Sequence, residues 1–266
     1  MTKPLPITPD ELKSVALFEP LSDTQLRMIS ALMQRATFTN GEVLLSLRQP
    51  GQHVYVLQSG TVKVCINRSP SGILGADERE EKSSGKGKEI ELPDAEDDDI
   101  DPEQARLVVL NLCGPGEVLG EMSFLDGLGH SADVIALEPC KTLWIEGDAF
   151  RNCIEEMPSL AMSLLQSTQH RLRFATRQLY ANSTLEATGR LACQLLLFAE
   201  RYGQEAPGGT LIPLRLFQRD LADMIGASRT RVNLAISLLR ASGGISQTRT
   251  GSLVILDRDK LANYGQ

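Results

Sequence analysis

The chain has 266 residues, 42% of them hydrophobic and 23% charged, with a net charge of −7. That length fits two ordinary domains, and that composition excludes a wholly disordered chain. No apolar run approaches the roughly 20 residues that a bilayer needs, the first ten residues hold three prolines and no secretory core, and Cys65, Cys113, Cys140, Cys153 and Cys193 form no CxxC pair, so a cytoplasmic protein without a membrane partner is expected.

From Glu11 to Gln34 apolar residues recur at helical spacing (Leu12, Val15, Leu26, Ile29 and Met33 among them), and Pro20 splits them into two short helices. From Thr37 the period becomes two. Val43, Leu45 and Leu47 alternate, then Val54 and Val56, then Val62, Val64 and Ile66, with breaks at Asn40-Gly41, Pro50-Gly51 and Ser59-Gly60. Strands resume over 107–112, break at Gly114-Pro115-Gly116, and return near 131–137 and 141–145. Short strands with glycine-rich turns at this spacing predict a compact antiparallel barrel or roll. Residues 68–106 interrupt the pattern. Between 77 and 103 there are thirteen acids against four bases, which puts −9 on that stretch and leaves +2 on the remainder. With few large apolar groups it is expected to be a flexible acidic insertion at a hairpin tip, dispensable for folding.

Pro158 to Asn182 reads as one long helix. Leu165, Leu172 and Leu179 stand seven apart, with Thr168, Ala175 and Asn182 between them, a narrow seam of the coiled-coil type. Arg171, Arg173 and Arg177 flank the seam, so the other faces are expected to be wet. Pairing with a second copy along Leu165, Leu172, Ala175 and Leu179 is expected. A helix over 185–202, a loop over 203–209, helices over 217–225 and 228–240, and a two-stranded wing over 245–248 and 253–256 complete the chain.

Ala222, Gly226 and Val232 have helix-turn-helix spacing: a small residue where two helices approach, a glycine for the tight turn, and an apolar residue that packs the second helix on the first. Ser228 is placed to cap the second helix. That helix opens with Arg229, Thr230 and Arg231, where a recognition helix meets base edges, and Asn233 joins them as a contact candidate. Arg219 and Arg249 are candidates for phosphate contacts. Six arginines stand against Asp220 and Asp223 between 215 and 249, so a sequence pI near 5.1 does not exclude DNA as partner.

At this point the chain resembles the Crp/Fnr family of bacterial transcription regulators, which includes the catabolite activator protein and the fumarate and nitrate reduction regulator. The segment Gly116-Glu117-Val118-Leu119-Gly120-Glu121, followed by Leu125-Asp126-Gly127 and Ser131-Ala132, looks like the family's phosphate-binding cassette for a cyclic nucleotide. The resemblance implies an α+β fold. An N-terminal antiparallel β-roll of the cyclic-nucleotide-binding, cupin or jelly-roll type would occupy 1–157, a dimerisation helix 158–182, and a winged helix-turn-helix 183–266. It implies a ligand site at Gly120, Glu121, His130, Ser131, Ala132 and Thr176, with the glutamate on a ribose hydroxyl and the serine on a cyclic phosphate. His130 stands where the family has an arginine, and Ala175-Thr176 where it has an adenine-contacting Thr-Ser pair. The effector is therefore expected to be a cyclic nucleotide or another nucleotide second messenger, with ordinary cyclic AMP held weakly. In the recognition helix, Thr230 replaces a family glutamate and Leu234 a later arginine. Implied partners are a second copy of the chain, a palindromic duplex operator and RNA polymerase.

An alternative sensor on the same fold is a haem or redox site, or none. No cysteine precedes Cys65, and His53, His130 and His170 are the only histidines. With no nucleophile–base pairing, no P-loop and no metal-ligand spacing, neither an enzyme nor a metal site is expected.

Overall fold

The computed structural model describes residues 6–67, 107–248 and 251–265. The acidic insertion expected over 68–106 therefore lies outside the described residues, as does Arg249. Two short helices come first, α1 (Pro9–Lys13) and α2 (Asp23–Leu32). Ser22 starts α2 by a reciprocal box: its N–H donates to Gln25 Oε1 at 2.9 Å, and its hydroxyl accepts from the Gln25 N–H at 3.4 Å. Eight strands and two helices follow: β1 (Gln34–Phe38), β2 (Val43–Leu45), β3 (His53–Ser59), β4 (Val62–Asn67), β5 (Leu107–Cys113), β6 (Val118–Leu119), α3 (Glu121–Asp126), β7 (Asp133–Ala136), β8 (Cys140–Glu146) and α4 (Gly147–Glu156).

These strands form two antiparallel four-stranded sheets, in the orders β1-β8-β3-β6 and β2-β7-β4-β5. The roll is thus two facing sheets and not a closed barrel. Leu45, Leu57, Val62, Leu119, Val134 and Ala136 belong to one buried cluster contributed by both sheets. A second cluster joins α1 and α2 to β3, β8, α4 and the start of the next helix through Leu12, Leu26, Ile29, Val54, Ile145, Phe150 and Leu160. Asn67 and Leu107 face each other in the β4–β5 register, so the chain leaves for the acidic segment and returns at one point on one hairpin.

The long helix α5 (Pro158–Thr184) starts with proline at its first turn, where the missing N–H costs nothing. Leu160, Leu164, Phe174 and Ala181 are buried along one side, with Phe174 against Phe198. Then come α6 (Ala187–Tyr202), β9 (Gln204–Ala206), β10 (Gly209–Leu211), α7 (Gln218–Ile225), α8 (Arg229–Ala241), β11 (Ile245–Gln247), β12 (Leu253–Ile255) and α9 (Arg258–Asn263). The loop expected over 203–209 is instead a hairpin, and β9 and β10 extend the wing into one sheet in the order β11-β12-β10-β9. Gly208 at φ 87° makes that turn within Pro207-Gly208-Gly209, and the three-residue strands on either side are too short for a period of two to mark them.

The core of this C-terminal part does not stop at its own elements. Leu191, Leu195, Phe198, Leu221, Val232 and Leu239 share one buried cluster with Cys65, Val109, Leu112 and Ile135 from the roll. Helix α7 lies against β5. The β2-β7-β4-β5 sheet is thus covered on both faces, by the other sheet and by the helix-turn-helix.

Candidate functional site

Gly226 ends α7 in the left-handed region (φ 60°), and the Ala227 N–H donates back to the Ala222 carbonyl at 2.9 Å. The Ser228 hydroxyl accepts the Arg231 N–H at 3.3 Å and caps α8, as its position predicts. Val232, Ala235, Ile236 and Leu239 form the buried side of α8. Thr230, Arg231, Asn233, Leu234 and Ser237 are exposed, Arg229 is half-buried, and Arg219 is exposed on the first turn of α7. The Arg240 guanidinium donates to Gln247 and ties the end of α8 to the wing. Between α7, α8 and the wing lies a cavity of about 300 Å³, rimmed by Gln218, Asn233, Ser237, Arg240 and Gln247. A helix whose exposed face carries Arg231, Asn233 and Ser237 beside Leu234, with a capped N-terminus and a wing braced beside it, can enter a major groove.

In the roll, Gly120 ends β6 at φ 88°, and a Cβ there would meet the His53 carbonyl oxygen at 2.8 Å, so only glycine fits. Glu121 opens α3 and is 2% exposed. Its Oε1 accepts from the Arg171 guanidinium, which also donates to the Val118 carbonyl at 2.5 Å. Its Oε2 is buried with no hydrogen-bond partner among the described residues. His130 is buried, with its ring 3.6 Å from the Cβ position of Gly120. Its backbone is pinned to 48–49: the Arg48 N–H donates to the His130 carbonyl at 2.9 Å, and the His130 N–H to the Gln49 carbonyl at 3.0 Å. Burial pushes the imidazole below its usual range. Ser131 is exposed and Ala132 buried. The fold brings Gly120, Glu121 and His130 together. Thr176 stands on the exposed side of α5, where its hydroxyl donates to the Leu172 carbonyl at 2.9 Å.

Three polar contacts that the sequence reading did not find join the roll to the C-terminal elements. Glu117, buried in the same cassette segment, accepts from Arg201 Nε at 2.5 Å and Nη2 at 2.7 Å and from the Tyr202 hydroxyl at 2.9 Å, all at the end of α6. Lys63 Nζ of β4 pairs with Asp220 Oδ1 of α7 at 3.4 Å, both side chains being nearly inaccessible (6% and 5%). The Arg215 N–H donates to the Thr61 hydroxyl at 3.0 Å. Arg171, expected on a wet flank of α5, is a correction: its guanidinium is drawn in by Glu121 and is 27% exposed. Asp220 carried a readable signal. It falls on the apolar side of an amphipathic helix with Leu221 and Met224, where an acid needs a partner.

On α5, Leu165, Leu172 and Leu179 are 51%, 67% and 67% exposed, on nearly the opposite side from Leu160, Phe174 and Ala181. Ala175 is exposed with them. Burial raises all five cysteine thiols, Cys65 and Cys113 to about 12 and Cys140 to about 11, so none offers a thiolate near neutral pH.

Two family models match the chain: a Crp-like helix-turn-helix domain over residues 189–264 and a cyclic nucleotide-binding domain over 100–157. A CRP-like cAMP-activated global transcriptional regulator of Mycobacterium tuberculosis is 25% identical over 251 residues, covering 94% of this chain and 96% of that protein. The cyclic AMP receptor protein of Thermus thermophilus is 27% identical over 232 residues, covering 87% and 88%. Among solved structures, FixK2 from Bradyrhizobium japonicum has a TM-score of 0.67 at 18% identity, covering 88% of this chain and 98% of its own.

Proposed function

We propose that this chain, which belongs to the Crp/Fnr family of DNA-binding transcription regulators, works as a homodimer in which the cassette of the roll controls how the winged helix-turn-helix is presented to a palindromic operator. The observation that carries the dimer is the line of exposed leucines on α5, opposite a side that is buried within the chain. A twofold axis along that helix would set two copies of α8 at a fixed separation and make the operator palindromic. RNA polymerase is the further partner such a regulator implies. No helix of the described residues is long and apolar enough to cross a membrane.

Within this reading, Arg229 and Arg231 contact base edges at the start of α8, and Arg219 a phosphate. Arg229→Ala should cost about 1–3 kcal/mol and relax preference at one base pair of a selected site. Arg219→Ala should weaken all sequences alike and lower the salt slope by about one unit. Titration of both variants on the selected site and on random DNA, at several salt concentrations, separates the two roles. An unchanged sequence preference in Arg229→Ala would refute its assignment.

The effector reading rests on Glu121. Its orphaned, buried Oε2 needs a donor, and a sugar hydroxyl is one, so the ribose end of a nucleotide fits. The phosphate end fits less well. His130 offers a single ring in place of a guanidinium fork, and its lowered pKa keeps it neutral at pH 7. Losing one charge-assisted contact weakens a cyclic phosphate by roughly 10–100-fold. Cyclic AMP should therefore bind weakly at pH 7.5, and more tightly as the pH falls into the lowered range where the buried imidazole gains its proton. His130→Arg should raise the affinity at least ~10-fold at pH 7.5 and lessen the pH dependence. Calorimetry of both proteins at pH 7.5 and 5.5 checks this; tight binding by the unmodified protein without pH dependence would overturn it.

A further inference from the structure

The recognition helix carries an apolar side chain at the crest of its free face. Leu234 is 60% exposed. A single exposed leucine is ordinary on a protein surface; its position here is not. The buried side of α8 is Val232, Ala235, Ile236 and Leu239. At about 100° per residue, Thr230, Leu234 and Ser237 form the ridge farthest from it, with Asn233 and Arg231 on the two flanks. Arg229, half-buried, sits closer to the core than any residue of that ridge. The part of α8 that reaches deepest into a groove is thus uncharged, and its largest member has no donor or acceptor.

Such a side chain cannot read guanine, cytosine or adenine by hydrogen bonding. The apolar landmark of the major groove is the C5-methyl group of thymine. Thr230, one turn before Leu234, puts a second methyl group on the same ridge, about 6 Å away along the axis and so within two base-pair steps. We infer that Leu234 is a specificity-determining residue that packs on a thymine methyl in each half-site and makes A·T the preferred pair there. The inference rests on the DNA-binding role given above and deepens it.

The test uses the full chain to select sites from a random duplex library. Each thymine of the selected site is then replaced by uracil, which removes the methyl group alone. One position per half-site should respond, with wild-type affinity falling about fourfold for each methyl lost. Leu234→Ala should be indifferent to uracil at that position while keeping the wild-type melting temperature, since the side chain is mostly exposed. Leu234→Arg should change the selected pair there from A·T to G·C, through a bidentate contact to guanine. A selected site without such a thymine, or uracil acting equally on the wild type and on Leu234→Ala, overturns the inference and leaves DNA binding standing. Selection of no sequence at all removes the DNA-binding role and the inference with it.

Discussion

Leu172→Asp combined with Leu179→Asp should convert the protein to monomers. Both leucines are 67% exposed in the single chain, and they stand two helical turns apart on one line. In a parallel dimer each would meet its symmetry mate, so four leucines leave water together, each contributing on the order of 1.5–3 kcal/mol when fully buried. Four carboxylates in the same seam would remove that gain and add like-charge repulsion. Neither residue belongs to the buried side of α5, so the chain itself should stay folded. Monomers hold one half-site at a time, and loss of the second contact should weaken binding to a palindrome by 10²-fold or more. Sedimentation equilibrium and operator titration measure the two effects. A double variant that still sediments as a dimer would show that the chains associate through another surface.

The line of leucines seven apart on α5 was legible in the sequence, and the single chain leaves Leu165, Leu172 and Leu179 exposed. The helix-turn-helix was legible as well, since Ala222, Gly226, Ser228 and Val232 each meet a local requirement of turn, cap or close packing. The roll's strands could be read where one face is wet. Lys63 shows where this fails. It alternates with Val62 and Val64 as a solvent-facing residue should, yet it is 5% exposed, because α7 covers the outer face of β4. No spacing in the strand records a helix that arrives more than 150 residues later. Glu117 was hidden differently: inside a recognisable motif, it read as part of the cassette, whereas its partners Arg201 and Tyr202 lie at the end of α6. The short helices α3 and α9 are only six residues each, too brief for periodicity to mark them.

Lys63→Met should be strongly destabilising although it leaves all three hydrophobic clusters untouched. It removes the cation from a buried pair and strands the Asp220 carboxylate between β4 and α7, which costs about 3–5 kcal/mol. The pH dependence has a definite sign. Burial already raises the Asp220 pKa, against the pull of Lys63 and Arg219. Without Lys63 it rises further, so the folded state takes up a proton that the unfolded chain does not hold. Stability of the variant should therefore recover as the pH falls from 7 toward the ordinary carboxylate range, and the gap to the wild type should narrow. Lys63→Met with Asp220→Leu should restore most of the loss at pH 7, since an apolar pair of similar size carries no unpaired charge. Denaturant unfolding of the three proteins at pH 7 and 5 tests each step. A single variant as stable as the wild type at pH 7 would mean that water reaches Asp220 and that the pair is not sealed. If the double variant folds well yet binds its selected operator more weakly, the pair does more than hold α7 down: it fixes the angle at which the helix-turn-helix leaves the roll. An apolar pair fills the same space, but only the ion pair supplies a directional contact between Lys63 and Asp220.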